Sequence, residues 1–197
     1  SSVSAAYDEG VNAVVDASKL VTEFEKHKPN GFGYMPEYNI RGTLCVTGLH
    51  SGGDKIYVPE LAEVTVDRHI LPGQSVEEAA RQIRQIIVDA DINGKYEILW
   101  DERPTPAPTS YITPPDSKLV QVAKCSLEKE LAQDVRLALA RSVADTNHIA
   151  LYGRVPTIIM GPSGGNTCEA NEWVNKDSLL QITRAITRTV IEIMGIN

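Results

Sequence analysis

The sequence has no long apolar run, and nothing in it approaches the ~18 consecutive apolar residues that a membrane span needs. It has no long basic run either, and its net charge is -7, which argues against a nucleic-acid partner. Its three cysteines, Cys45, Cys125 and Cys168, form no CxxC pair. A reducing, cytoplasmic setting is therefore expected. There is no signal peptide and no starting methionine, and the first residues, SSVSAAYDEG, read as a chain entered midway. Internal repeats and low-complexity tracts are also missing. What remains is a chain of 197 residues, 42% hydrophobic and 23% charged, enough for one large globular domain or two small ones.

Periodicity orders the first half. Residues 11–26 carry Val11, Val14, Val15, Ala17, Val21 and Phe24 at helical spacing. A Gly/Pro loop from Lys28 to Pro36 follows. Tyr38 to Thr47 reads as a strand, and Gly48 to Asp54 as a turn. In a second strand Ala62, Val64 and Val66 share one face, and Glu63, Thr65 and Asp67 take the other. Ser75 and Glu78 form a capping box ahead of a helix with Val76, Ala79, Ala80, Ile83, Ile86 and Ile87 on one stripe. After Asn93-Gly94, Tyr96 to Trp100 reads as a third strand. This is α-β-β-α-β, a ferredoxin-like pattern short of its first strand, which would precede residue 1.

Five prolines between Arg103 and Pro115 mark a domain boundary. Asp116 is expected to cap a helix through about Leu131, with Leu119, Val120, Ala123 and Leu127 inward. Val135, Leu137 and Leu139 alternate as a short strand, and residues 144–152 form a short helix. Pro156 to Met160 is an apolar, β-branched strand stopped by Gly161-Pro162. A closing helix from about Ser178 to Met194 puts Leu179, Ile182, Ile186, Val190 and Ile193 on one side. Two strands cannot make a covered parallel sheet, so this half is expected to complete a larger one.

The sequence is organised around VPTIIMGPSGGNTCEANEWV, Val155 to Val174. A strand, a glycine-rich loop and a polar cluster ahead of a helix put side chains beyond the carboxyl end of a strand, where α/β sheets hold ligands. Gly164-Gly165-Asn166 either brings backbone N–H groups to a carboxylate or is an ordinary tight turn. Glu169, Asn171 and Glu172 either support a ligand or cap the last helix.

SSVSAAYDEGVNAV, VPELAEVTVDRHILPGQS, ADTNHIALYGRVPTIIMGP and CEANEWV, in this order, resemble the zinc-dependent aminoacylase family. That family includes acetylornithine deacetylase, succinyl-diaminopimelate desuccinylase and carboxypeptidase G. The resemblance implies an α/β fold in two parts. Residues 1–111 would be a ferredoxin-like lid and dimerisation domain without its first strand. Residues 112–197 would be the C-terminal portion of the catalytic α/β domain. The N-terminal catalytic half, with most metal ligands and the general base, would lie outside the chain. The implied reaction is metal-assisted hydrolysis of the amide bond of an N-acyl amino acid or short peptide, with zinc, or cobalt or manganese in its place. The chain alone would then be inactive, and it would form a homodimer through the lid.

Cys168 stands where the family has its last metal-ligand histidine, two spacers before Asn171 and Glu172. A thiolate is a competent zinc ligand, and the alternative is a buried, unreactive cysteine. Glu172 would sit behind the ligand and orient it. Asp145 and Asn147 match a pocket-lining segment of the family, and Asp145 can equally cap a helix. Gly164, Gly165, Asn166 and Asn171 would contact substrate. His69 stands where many members have an arginine that forks onto a carboxylate, a contact histidine cannot reproduce. Arg68 reads as a solvated lid charge. Ile56, before Tyr57-Val58-Pro59, stands where many members have an asparagine, so an oxyanion donor is lost or moved. A rival function is a non-catalytic module that dimerises through sheet edges or binds small acids.

Overall fold

The computed structural model describes residues 10–28, 31–52, 56–100, 109–141 and 143–195. The chain divides into two units, residues 1–110 and 111–197.

The first unit begins with α1 (Ala13–His27), capped by the Asn12 side chain, which accepts from the Val14 and Val15 amides at 3.0 and 3.3 Å. A short hairpin of β1 (Tyr34–Met35) and β2 (Ile40–Arg41) leads into β3 (Thr43–Ser51). Antiparallel to β3 runs β4 (Ala62–His69), and α2 (Val76–Asp89) follows. The Ser75 hydroxyl accepts the Glu78 amide at 3.1 Å, as the capping box requires.

The core of this unit joins Phe24 of α1, Phe32, Leu44 of β3, and Ile83, Ile86 and Ile87 of α2. Val46, Val64, Val66 and Ile98 pack against it. Each such buried side chain contributes on the order of 1.5–3 kcal/mol. Thr47 is the extra residue of a β-bulge between Val46 and Gly48. Because opposed residues share a face, Val46 facing Val66 and Leu49 facing Val64 put Leu44, Val46 and Leu49 on one side despite the change of spacing.

Three expectations change here. Tyr96–Trp100 joins no ladder among the described residues, although Ile98 packs against the core. Alternation shows which face is apolar, and says nothing about whether a partner strand exists. Tyr38 and Asn39 belong to a turn, with Asn39 left-handed at φ 49°, while pairing with β4 carries β3 through to Ser51. Val11, ahead of α1, and Val14 and Val15 on it face outward, and Asp16 is buried. Asp16 is drawn inward by the Asn93 and Gly94 amides.

The second unit holds α3 (Lys118–Leu131), α4 (Thr146–Leu151), a hairpin of β5 (Gly164–Gly165) and β6 (Trp173–Val174), and α5 (Lys176–Met194). Helices α3 and α5 bury small side chains, Ala123 and Ser126 on one and Ala185 and Thr189 on the other. Arg188 Nη2 and Glu130 Oε1 join the two helices at 2.7 Å. Of the expected stripe on α5 only Ile182 is buried; Leu179, Ile186 and Val190 are exposed.

Residues 135–139 and 156–160 belong to no ladder among the described residues. Thr157 pairs with Thr113: its amide donates to Thr113 Oγ1 at 3.1 Å, and that hydroxyl donates to its carbonyl at 2.5 Å. Ser117, not Asp116, stands directly before α3, and its side chain makes no capping bond. Asp145 precedes α4 in a helical conformation, φ -59°, and makes no capping bond with its side chain.

Candidate functional site

The candidate site is the loop between β5 and β6. The hairpin pairs Gly164 with Val174 and Gly165 with Trp173. Gly164 is required sterically by a backbone atom, and Gly165 lies under the Trp173 side chain. A Cβ on Gly164 would lie 2.3 Å from the Trp173 carbonyl oxygen, and one on Gly165 would lie 2.7 Å from Trp173 Nε1. The loop they open is folded on itself. The Glu169 amide donates to the Asn166 carbonyl at 2.9 Å, and Asn166 Nδ2 donates to the Asn171 carbonyl at 3.3 Å.

Three residues of this loop are left-handed: Asn166 at φ 56°, Cys168 at φ 63° and Asn171 at φ 60°. Asparagine adopts that region at small cost, but a cysteine there is uncommon. Cys168 is exposed in this chain. Glu169, Asn171 and Glu172 are exposed as well, and none of them caps α5. Asn175 does so, accepting from the Asp177 and Ser178 amides at 2.9 and 3.3 Å. The loop base is stapled to that helix: the Asn175 amide donates to the Ser163 carbonyl at 2.8 Å, and the Ser163 amide donates to Ser178 Oγ at 3.0 Å.

Thus Gly164, Gly165, Asn166, Cys168, Asn171 and Glu172 share one loop anchored at a helix start. Asp145 and Asn147 lie at the start of α4 in the same unit. The Asp145 carbonyl accepts from the His148 and Ile149 amides, and the His148 ring stacks on Tyr152 with centroids 5.8 Å apart. His69 belongs to the first unit, where its Nε2 lies 2.9 Å from Asp67 Oδ2. Among the described residues no three His, Cys, Asp or Glu side chains gather as a metal site. Cys168 is a single exposed donor, so these residues do not by themselves fit the metal centre that the resemblance implies.

Two polar residues matter more than the sequence suggested. Arg68 is half-buried, not solvated. Its Nη2 donates to the Phe32 carbonyl at 3.3 Å, to Gln82 Oε1 at 3.1 Å and to Gln74 Oε1 at 3.4 Å. Burial lowers its pKa, and the Glu78 carboxylate opposes that. Asp16 Oδ2 accepts from the Asn93 amide at 3.0 Å and from the Gly94 amide at 2.7 Å. Burial pushes this carboxyl up, but the two amides and Lys19 outweigh burial and hold it below the usual carboxylate range. The only sequence signal for Asp16 is an acid amid Val14, Val15 and Ala17 on a helix.

Residues 3–95 match the family model described as the peptidase dimerisation domain of M20 proteins. In fold the chain is similar to an M20 family metallo-carboxypeptidase from Sulfolobus solfataricus, with a TM-score of 0.64 and 15% identity, covering 95% of this chain and 54% of that one. It is also similar to aminopeptidase PepT from Bacillus cereus ATCC 10987, with a TM-score of 0.70 and 14% identity, covering 95% of this chain and 47% of that one. No curated protein matches the chain. The chain spans about half the length of these two solved structures. The fold is mixed α/β with short antiparallel strands, similar to that of these two solved structures, and part of the chain is related to the M20 peptidase dimerisation domain. In sequence that relation is carried by residues 3–95. No helix among the described residues is long and apolar enough to cross a membrane.

Proposed function

We propose that residues 1–111 act as a dimerising lid and residues 112–197 as the C-terminal portion of the catalytic domain of a metal-dependent hydrolase. Its substrates are N-acyl amino acids or short peptides, cleaved at the amide bond. The observation that carries this reading is the match of residues 3–95 to a peptidase dimerisation domain. The similarity in fold to two peptidases over 95% of the chain supports it.

On this reading the β5–β6 loop faces substrate. Backbone N–H groups at Gly164, Gly165 and Asn166, and the Asn171 side chain, hold its carboxylate. Asp145 and Asn147 line the same pocket, and His69 is a substrate contact carried by the lid. Cys168 gives one ligand to a divalent metal, zinc or cobalt or manganese, with Glu172 behind it. The other ligands and the general base come from polypeptide beyond these 197 residues. Two copies join through the lid, where β3 and β4 pair with no third strand among the described residues and unpaired strand edges bond to other strands.

The test is hydrolysis of N-acetyl amino acids and dipeptides by the full-length gene product, with and without added zinc, beside the 197-residue chain alone. The expected result is hydrolysis by the full-length product that chelation abolishes, and none by the chain alone. A full-length product that binds no metal and hydrolyses nothing would instead establish a non-catalytic dimerising or small-acid-binding module. Hydrolysis by the chain alone would contradict the division of labour proposed here.

A further inference from the structure

We propose that Asn93 is a masked deamidation site that Asp16 keeps intact. Asn93 precedes Gly94, and glycine carries no Cβ to hinder ring closure. In the reaction the Gly94 amide nitrogen loses its proton and attacks Asn93 Cγ. The Cγ–Nδ2 bond breaks, ammonia leaves with the proton, and a cyclic succinimide forms. Water then opens the ring to aspartate or isoaspartate. The net change is one water in and one ammonia out, with nothing oxidised or reduced. Asn93 is exposed, so water has access.

The geometry opposes the first step twice. The Gly94 amide donates to Asp16 Oδ2 at 2.7 Å, and the Asn93 amide donates to the same oxygen at 3.0 Å. Two successive N–H groups on one acceptor form an anion nest, and they fix the torsion between them. Bringing the Gly94 nitrogen onto Cγ means rotating about that torsion and breaking the nest. Removing the Gly94 proton would also leave an anionic nitrogen against a carboxylate, which is repulsive. Asp16 cannot drift away easily. It is 7% exposed, on a helix whose Lys19 Nζ lies 3.6 Å from Asp16 Oδ1 and donates to the Asp91 carbonyl at 3.0 Å. The clamp spans residues far apart in sequence, so it exists only while the first unit is folded. Deamidation at Asn93 therefore records openings of that unit, and it is irreversible.

The test follows the Asn93 peptide by mass spectrometry, with isoaspartate detection, during incubation at neutral pH. The proteins are the wild-type chain, Asp16→Ala, Asp16→Asn and Lys19→Met. Asp16→Ala should deamidate at least about tenfold faster than wild type, equivalent to roughly 1.4 kcal/mol at the barrier. Asp16→Asn, which keeps a neutral acceptor, should fall between the two. Lys19→Met, which keeps the carboxylate but loses its tether, should deamidate faster than wild type and slower than Asp16→Ala. Equal rates in wild type and a folded Asp16→Ala would overturn the proposal. Should the Asp16 variants not fold, wild type alone decides. Its deamidation in mild urea should rise in step with hydrogen exchange at the Gly94 amide. A rate in native buffer equal to that of the fully unfolded chain would overturn the proposal.

Discussion

The Arg68 guanidinium lies over the Phe32 ring, 4.6 Å from its centroid, and donates to the carbonyl of the same residue at 3.3 Å. One side chain thus ties the end of β4 to the segment that follows α1. A further donation to the Thr43 carbonyl at 3.4 Å reaches β3. Lysine has one donor centre and no planar face, so it cannot replace both functions. Arg68→Lys should cost roughly 1–3 kcal/mol, seen as a lower urea midpoint with an unchanged slope.

Asp16 makes the first unit acid-sensitive. Its carboxyl titrates below the ordinary range when folded, so its contribution is present above the unfolded-state pKa and is lost as pH falls through the folded-state value. Urea midpoints of wild type should therefore drop on acidification below about pH 4. Asp16→Asn should be weaker at neutral pH by about 1–3 kcal/mol, and its disadvantage should shrink as the solution is acidified.

At the end of α3, Ala132 is left-handed, φ 53°, a position that glycine fills at no steric cost. Ala132→Gly should stabilise the second unit by about 1 kcal/mol, less the added freedom of the unfolded chain. A rise of a few degrees in thermal midpoint would show it.

Cys168 is exposed and held left-handed, so its thiol makes no packing contribution of note. Cys168→Ala should change stability by no more than about 0.5 kcal/mol. If Cys168 is the metal ligand proposed above, the same change in the full-length protein should weaken zinc binding by about tenfold or more, while Cys168→His should retain it. Zinc titration against a competing chelator measures both.

Where local chemistry decides, the sequence was readable. Ser75, Glu78 and the isoleucine stripe of α2 specify that helix without help from the rest of the chain. The alternation of Ala62, Val64 and Val66 likewise specifies the face of β4. Tyr96–Trp100 and Pro156–Met160 were harder, because a ladder needs a partner and periodicity carries no information about one. Asp16 and Arg68 find their partners far along the chain, and nothing local marks them as structural. In the β5–β6 loop the glycines and asparagines announce a tight turn, but the left-handed Cys168 among them does not. The peptidase relation came from motif order, and the match over residues 3–95 confirms it there.

The account stands on the first unit joining two copies of the polypeptide. Equilibrium sedimentation of the 197-residue chain over a range of concentrations tests this most directly. A mass approaching twice 21.5 kDa as concentration rises is the predicted result. A mass of 21.5 kDa at every concentration would contradict it.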